Sequence, residues 1–329
     1  MQYKIALAGS SKYTVMMAET LRNDARFKIC YTLSPTPKLI GRQQVLTKNP
    51  LHLWSEKENI SAFLIEKKID VDLQNQLREA EEIDFLLVVD FGYLIPAWLL
   101  QLPKIAPLNI HPSLLPKWRG SSPGQFCLLF KDLGQENQLS AVTLMVMNEG
   151  LDQGPIVAQL PFNLEENWTQ NEYYQHAFAL IAEKLGDLIS NLAEQKIEVL
   201  EQPVESSTMI ARRLNKEDSF VDWNILQKLM DNSLEKINSL GDGKKLLNDL
   251  LMNDEFCKNK TEQIKLIINA SKAFFPWPGL WTNVQTNQGI KRMKIFSCHA
   301  TKNQLNLDQI QIEGKNLCLF NECKNALKN

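Results

Sequence analysis

The chain of 329 residues has little of what builds a metal centre, a covalent staple or a membrane anchor. Its six cysteines are Cys30, Cys127, Cys257, Cys298, Cys318 and Cys323. None forms a Cys-x-x-Cys pair, and none has a histidine at metal-ligand spacing, which argues against zinc and dithiol redox sites. No leader-like segment opens the chain, so reduced thiols in a cytoplasmic protein are expected. No apolar run approaches the ~18–20 residues of a membrane span. Internal repeats and low-complexity tracts are lacking too. In Leu7-Ala8-Gly9-Ser10-Ser11-Lys12 the only glycine is Gly9. The dinucleotide fingerprint Gly-x-Gly-x-x-Gly is therefore missing, as is the phosphate loop Gly-x-x-x-x-Gly-Lys-Ser/Thr, and an NAD or ATP enzyme is not expected.

What is present is an ordinary soluble composition, 44% hydrophobic and 22% charged, enough for a core without a staple. The length suggests two domains. Charge divides unevenly. Residues 1–210 carry 18 Lys+Arg against 25 Asp+Glu, a net of −7; residues 211–329 carry 18 against 13, a net of +5; together they give −2. Such asymmetry marks either a polyanion surface or, more commonly, a solvated face. In the first half, strand-like runs fall at residues 4–8, 29–33, 62–65, 84–89 and 107–111. Helix-like segments lie between them, as at 15–23 and 71–79. Phe85-Leu86-Leu87-Val88-Val89 is apolar without alternation, as a strand buried on both faces should be. The alternation predicts a mostly parallel sheet covered on both sides. Further strands are expected at 140–147 and 155–162, and a long helix at 172–194. Residues 203–207 read as a linker, dividing the chain into domains 1–205 and 206–329. Beyond it, short strands are expected at 219–223, 281–284, 292–299 and 304–312. A polar, lysine-rich helical segment, about 224–272, is inserted among them and is broken at Gly241-Asp242-Gly243.

Asn109-Ile110-His111-Pro112-Ser113 places an amide and an imidazole two residues apart at a strand end. On a strand, residues i and i+2 face the same way, so both project into the crevice beyond the carboxyl ends of the sheet. Pro112 stops the ladder and holds His111 extended. A lone histidine at a strand end is ordinarily a structural residue. Glu149-Gly150-Leu151-Asp152-Gln153-Gly154 adds a carboxylate on a turn whose glycines permit a sharp reversal. An amide, an imidazole and a carboxylate together suit acyl transfer: two stabilise an oxyanion, the third orients the histidine or moves a proton. Ser113 lacks the Gly-x-Ser-x-Gly elbow of a nucleophile, which favours direct attack by a substrate amine.

The two blocks Asn109-x-His111-Pro112-Ser113-Leu114-Leu115-Pro116-x-x-Arg119-Gly120-x-x-Pro123 and Gly150-Leu151-Asp152-x-Gly154 resemble the signature of the folate-dependent formyltransferases. Leu214-Asn215-Lys216-Glu217-Asp218 with Asp222-Trp223, and Ala273-Phe274-Phe275-Pro276-Trp277-Pro278-Gly279, extend the likeness over nearly the whole chain. They point to the branch of that family that acts on methionyl-tRNA. The resemblance implies a Rossmann-like open α/β sheet and a smaller, OB-like β-barrel domain at the C-terminal end. It implies 10-formyltetrahydrofolate as formyl donor, no metal, a monomer, and the amino group of methionyl-initiator tRNA as acceptor. It assigns catalysis to Asn109, His111 and Asp152. The folate pocket would be lined by Phe91, Gly92, Tyr93, Leu94 and Ile95, with Ser113, Leu114, Leu115, Pro116 and Gly150; an apolar lip of this kind suits a flat pterin.

The stretch Ser34-Pro35-Thr36-Pro37-Lys38-Leu39-Ile40-Gly41-Arg42 resembles the family's loop for the tRNA acceptor end, though it is less basic. Lys38, Arg42, Lys48 and Arg119, with Arg212, Arg213, Lys291, Arg292 and Lys294 of the second domain, are the candidate phosphate contacts. Gly9-Ser10-Ser11 departs from the family's Gly-Thr-Pro, and the segment between Trp223 and Phe274 is longer than its pattern. Alternatives remain: a sugar-nucleotide N-formyltransferase, an inactive tRNA-binding homologue, or a hydrolase of the formyl donor.

Overall fold

The computed structural model describes residues 2–41, 43–134, 139–231, 235–237, 245–324 and 327. The chain divides into two compact units, the first made of residues 1–123, 140–162 and 174–211, the second of 124–139, 163–173 and 212–329.

The first unit opens with β1 (Tyr3–Gly9), α1 (Lys12–Arg22), β2 (Phe27–Pro35) and the short ribbon β3 (Lys38–Ile40) and β4 (Val45–Thr47). It continues through α2 (Pro50–Lys57), β5 (Ser61–Ile65), α3 (Val71–Arg78), β6 (Phe85–Val89), α4 (Ala97–Leu100) and β7 (Ala106–His111). Next along the chain come α5 (Pro123–Leu129), which apart from Pro123 belongs to the second unit, then β8 (Leu139–Val146), β9 (Ile156–Asn163) and α6 (Gln170–Ala193), of which the first unit takes residues 140–162 and 174–193. Seven strands form one sheet in the order β5-β2-β1-β6-β7-β8-β9. β5, β2, β1, β6 and β7 run parallel, and β8 is antiparallel to β7. The sheet is the mostly parallel one expected, and all five residues of β6 are buried at its centre. Helix starts follow side-chain chemistry. Ser11, Asn49 and Asp70 each accept a hydrogen bond from a first-turn amide of α1, α2 and α3, satisfying N–H groups that have no partner within the helix. From β1 the chain adds β2 and β5 on one side, then crosses to β6 and β7 on the other. That reversal opens a crevice at the carboxyl ends of β1, β6 and β7, the usual ligand position in such sheets.

The second unit contains α7 (Trp223–Met230), α8 (Leu246–Met252), α9 (Lys260–Ala273), β10 (Leu280–Thr286), β11 (Gly289–Thr301), β12 (Gln304–Ile312), β13 (Cys318–Leu319) and α10 (Phe320–Cys323). Its strands make an antiparallel sheet in the order β10-β11-β12-β13. The β11–β12 hairpin turns through Lys302 and Asn303, both at positive φ (49° and 63°), the backbone a tight two-residue turn requires. The helical insertion is represented by α7, α8 and α9, while the expected break at Gly241-Asp242-Gly243 lies outside the described residues. Residues 219–223 are not a strand. Lys216–Ser219 is a 3-10 turn closed by a capping box between Asn215 and Asp218, and α7 starts at Trp223. Only Phe220 makes a strand-like bridge, to Trp281. The expectation of reduced thiols also changes: Cys318 and Cys323 are joined as a disulfide, leaving Cys30, Cys127, Cys257 and Cys298 free. No helix among the described residues is long and apolar enough to cross a membrane.

Candidate active site

β7 delivers Asn109 and His111 to the carboxyl end of the sheet, Asn109 between Val88 of β6 and Met145 of β8. His111 is 4% exposed. Its Nε2 lies 3.1 Å from the Trp118 carbonyl. A carbonyl only accepts, so Nε2 carries the proton and donates. Nδ1 then faces Asp152, 3.7 Å from Oδ2. That is beyond hydrogen-bond reach. The ring is thus oriented by the Trp118 backbone, and Asp152 stands across from the free nitrogen as a nearby charge.

Asp152 is held from the other side. Its Oδ2 accepts the Gly120 N–H at 2.8 Å. Two loops therefore meet at the site, one ending β7 and one joining β8 to β9. Trp118 (φ 59°) and Asp152 (φ 51°) sit in the left-handed region, which costs a non-glycine residue about 1–3 kcal/mol and recurs at functional sites. Both flanking glycines are required. At Gly120 (φ 125°) a Cβ would stand 2.5 Å from the Ala211 carbonyl oxygen. At Gly154 it would stand 1.9 Å from the Val146 oxygen. These close approaches are the physical content of the Arg-Gly and Gly-Leu-Asp-x-Gly motifs.

Beyond β6, Phe91 and Tyr93 pack with ring centroids 5.2 Å apart. The Tyr93 hydroxyl is anchored to the Ile65 carbonyl at 3.1 Å. Gly92 is exposed, Ile95 half-buried, and Leu94 is 89% exposed, so this turn presents an apolar lip. Leu114, Pro116 and Gly150 are half-buried. Ser113 and Leu115 differ from expectation. Both side chains are buried, and the Ser113 hydroxyl donates to the Lys117 carbonyl at 2.7 Å. Ser113 closes its own loop, its hydroxyl proton committed to the Lys117 carbonyl.

The candidate phosphate contacts separate by environment. Lys38 is exposed on the β3–β4 ribbon, whose Leu39, Ile40, Val45 and Leu46 are each more than half exposed. Arg42 lies outside the described residues. Lys48 is ion-paired with Glu56 at 2.5 Å. Arg119 is a correction. It is 2% exposed, and its guanidinium donates to Gln202 Oε1, Pro203 O and Val204 O at 2.7–3.0 Å. Burial lowers its pKa, and the charge of Asp152 opposes that shift. It is a buried strut. Arg212 is likewise engaged, by the Asp218 carboxylate at 2.6 and 2.8 Å. Arg213 and Lys294 are exposed, and Lys291 and Arg292 half-buried.

The sequence reading missed Lys216 and Lys245. In the second unit Lys245 Nζ lies 3.5 Å from the Phe220 ring centroid. Lys216 Nζ and Arg292 Cζ lie 5.6 and 4.9 Å from that of Trp281. Arg292 Nε is buried with no hydrogen-bond partner among the described residues. Among the described residues Glu217 is the acidic side chain ion-paired here, to Lys245 at 3.3 Å, and the Glu313 carboxylate accepts the Arg292 backbone N–H at 3.4 Å. Ring faces offset part of the repulsion among three cations. Their positions, scattered from 216 to 292, give no sequence signal. No group of three or more His, Cys, Asp or Glu among the described residues is placed to hold a metal.

The Formyl transferase family model matches residues 3–183. The methionyl-tRNA formyltransferase of Ehrlichia ruminantium (strain Gardel) is 30% identical over 224 residues, 67% of this chain and 69% of that one. The protein of the same name from Bartonella henselae is 24% identical over 302 residues, 92% of this chain and 83% of that one. Among solved structures, an N-formyltransferase from Helicobacter canadensis, in complex with folinic acid and dTDP-3-aminofucose, shares the fold. Its TM-score is 0.55 and its identity 18%, over 91% of this chain and 88% of that one. The matched model covers more than half of the sequence and includes Asn109, His111 and Asp152, and on that ground the chain belongs to the formyl transferase family.

Proposed function

We propose that this chain transfers the formyl group of 10-formyltetrahydrofolate to the amino group of methionyl-initiator tRNA. The observation that carries the reading is His111 facing Asp152 at the carboxyl end of β7, with Asn109 two residues before it on the same strand, in a chain of this family. In the proposed step the amine attacks the formyl carbon directly. The Asn109 amide donates to the oxygen as it becomes an oxyanion. His111 Nδ1, bare in the tautomer that Trp118 selects, takes the amine proton. The imidazolium so formed is stabilised by Asp152, hydrogen-bonds the oxyanion, and gives the proton to the folate nitrogen as its bond to the formyl carbon breaks. Phe91, Tyr93, Leu94 and Ile95 supply an apolar wall for the pterin.

The tRNA acceptor is supported by the names of the relatives and by the cations of the second unit, where Lys216, Lys245 and Arg292 gather on the Phe220 and Trp281 rings and, among the described residues, Glu217 is the carboxylate paired with them. A polyanion relieves that repulsion. Lys38→Ala with Arg42→Ala, or Lys245→Ala with Arg292→Ala, is expected to weaken tRNA binding. Each pair should flatten the slope of log K against log salt by about 1.5, as loss of two phosphate contacts does. Filter binding from low to moderate salt measures it; an unchanged slope removes that pair from the interface.

A sugar-nucleotide acceptor is the second reading, favoured by the solved formyltransferase crystallised with an amino-sugar nucleotide. Formyl transfer with methionyl-tRNA and a dTDP-amino-sugar offered together tests the choice. Formylation of the tRNA alone is expected; formylation of the sugar alone overturns the tRNA reading and leaves the catalytic set in place.

A further inference from the structure

Residues 200–211 form an irregular strap hydrogen-bonded to both loops of the site. Leu200 exchanges backbone hydrogen bonds with Ile156 at 2.8 and 2.9 Å. Ser206 Oγ donates to the Pro116 carbonyl at 2.7 Å, and Thr208 Oγ1 accepts the Trp118 N–H at 2.8 Å. Ala211 N donates to the Arg119 carbonyl at 2.7 Å, and its own carbonyl accepts the Ser122 N–H at 2.9 Å. The usual pattern is inverted here. Gln202, Ser206 and Thr208 turn inward to make hydrogen bonds, while Leu200, Val204 and Ile210 are 61%, 86% and 49% exposed. Apolar burial does not hold such a segment down; its hydrogen bonds do.

Gln202 joins the two loops within one amide. Its Nε2 donates to the Asp152 carbonyl at 3.0 Å and to the Gly154 carbonyl at 2.7 Å. Its Oε1 accepts from Arg119 Nη2 at 3.0 Å and Nε at 3.3 Å. The orientation is fixed by chemistry. A flipped amide would set its NH2 against a guanidinium and its oxygen against two carbonyls. Arg119 in turn is followed by Gly120, whose N–H holds the Asp152 carboxylate. The ring of contacts Arg119–Gln202–Asp152–Gly120 therefore sets the backbone and the carboxylate of Asp152 from both ends.

We propose that Gln202 is a positioning residue for formyl transfer, acting through Asp152 by tying its backbone to the buried Arg119. This rests on the reading of Asp152 given above. Gln202→Leu removes both ties at similar volume. Gln202→Glu keeps the acceptor for Arg119 and loses the donor to the two carbonyls.

The experiment measures kcat and KM for both substrates, with thermal unfolding, in the full chain carrying Gln202→Leu, Gln202→Glu, Asp152→Ala, and Gln202→Leu with Asp152→Ala. Each Gln202 variant should lower kcat by about 10- to 100-fold, as misplacement of a catalytic group by an ångström does, with KM within about 2-fold. In the Asp152→Ala background, Gln202→Leu should change kcat by less than about 2-fold, because its effect passes through the missing carboxylate. Three results overturn the inference while leaving the reading of Asp152 intact: Gln202→Glu at the wild-type rate, a fall confined to unfolding temperature, or a full further loss on top of Asp152→Ala. Asp152→Ala at the wild-type rate overturns the reading on which it rests.

Discussion

Asp152→Ala and His111→Ala are each expected to lower kcat for formyl transfer by about 10²-fold or more while folate binding persists. The reason is geometric. Nδ1 of His111 is the ring nitrogen left open by the Trp118 carbonyl, and Asp152 is the charge beside it. Removing the imidazole removes the proton carrier. Removing the carboxylate leaves a buried imidazolium with less compensation as the step proceeds. Neither change touches the lip formed by Phe91, Tyr93 and Leu94, so binding of the folate, followed by its fluorescence or by calorimetry, should change little. Steady-state rates at saturating donor and acceptor check the first half. Full activity in either variant sinks the assigned mechanism. Loss of folate binding in step with kcat would instead make these residues part of the pocket.

Gly154→Ala is the second large effect. A Cβ there meets the Val146 carbonyl oxygen at 1.9 Å and the Met145 methyl carbon at 3.2 Å. Backbone cannot yield as a flexible side chain does, so the β8–β9 connection must shift. Overpacking of this kind costs about 1–3 kcal/mol, occasionally more. The shift also moves Asp152, two residues away, from the Gly120 N–H. Thermal or denaturant unfolding should show the lost stability. A soluble variant should show a kcat deficit of about 10²-fold, the cost of an ångström of misplacement. An alanine variant as stable and as fast as the wild type would mean that the approach at Gly154 does not constrain the site.

Local pattern made the first unit legible. The unbroken Phe85-Leu86-Leu87-Val88-Val89 has the pattern of a strand covered on both faces, and it lies at the sheet's centre. The two-residue period that set Asn109 beside His111 is a property of any strand, and the glycines around Asp152 announced a tight turn. Other features depended on partners distant in sequence. Arg119 reads as a surface cation until residues 202–204, some 83 to 85 positions later, are seen to take its guanidinium. Gln202 carries no motif at all, because its meaning lies in four hydrogen bonds to residues 48 to 83 positions away. Apolar Phe220 and Val221 suggested a strand at 219–223. The Asn215–Asp218 box outweighed them by capping a 3-10 turn just upstream, and Asp222 starts α7. The disulfide of Cys318 and Cys323 escaped a spacing rule because it joins β13 to the end of α10 across five residues.

The central claim is direct transfer at the Asn109–His111–Asp152 site with no formyl-enzyme intermediate. It is tested most directly by following formyl-labelled donor through one turnover, with the enzyme in excess over donor and methionyl-tRNA present. The account predicts label on the methionine amino group, none on the protein at any time after quenching, and the same product formed about 10²-fold more slowly in the Asp152→Ala variant. Label that passes through the protein before reaching the tRNA, or that leaves as formate while the tRNA stays unmodified, would contradict it.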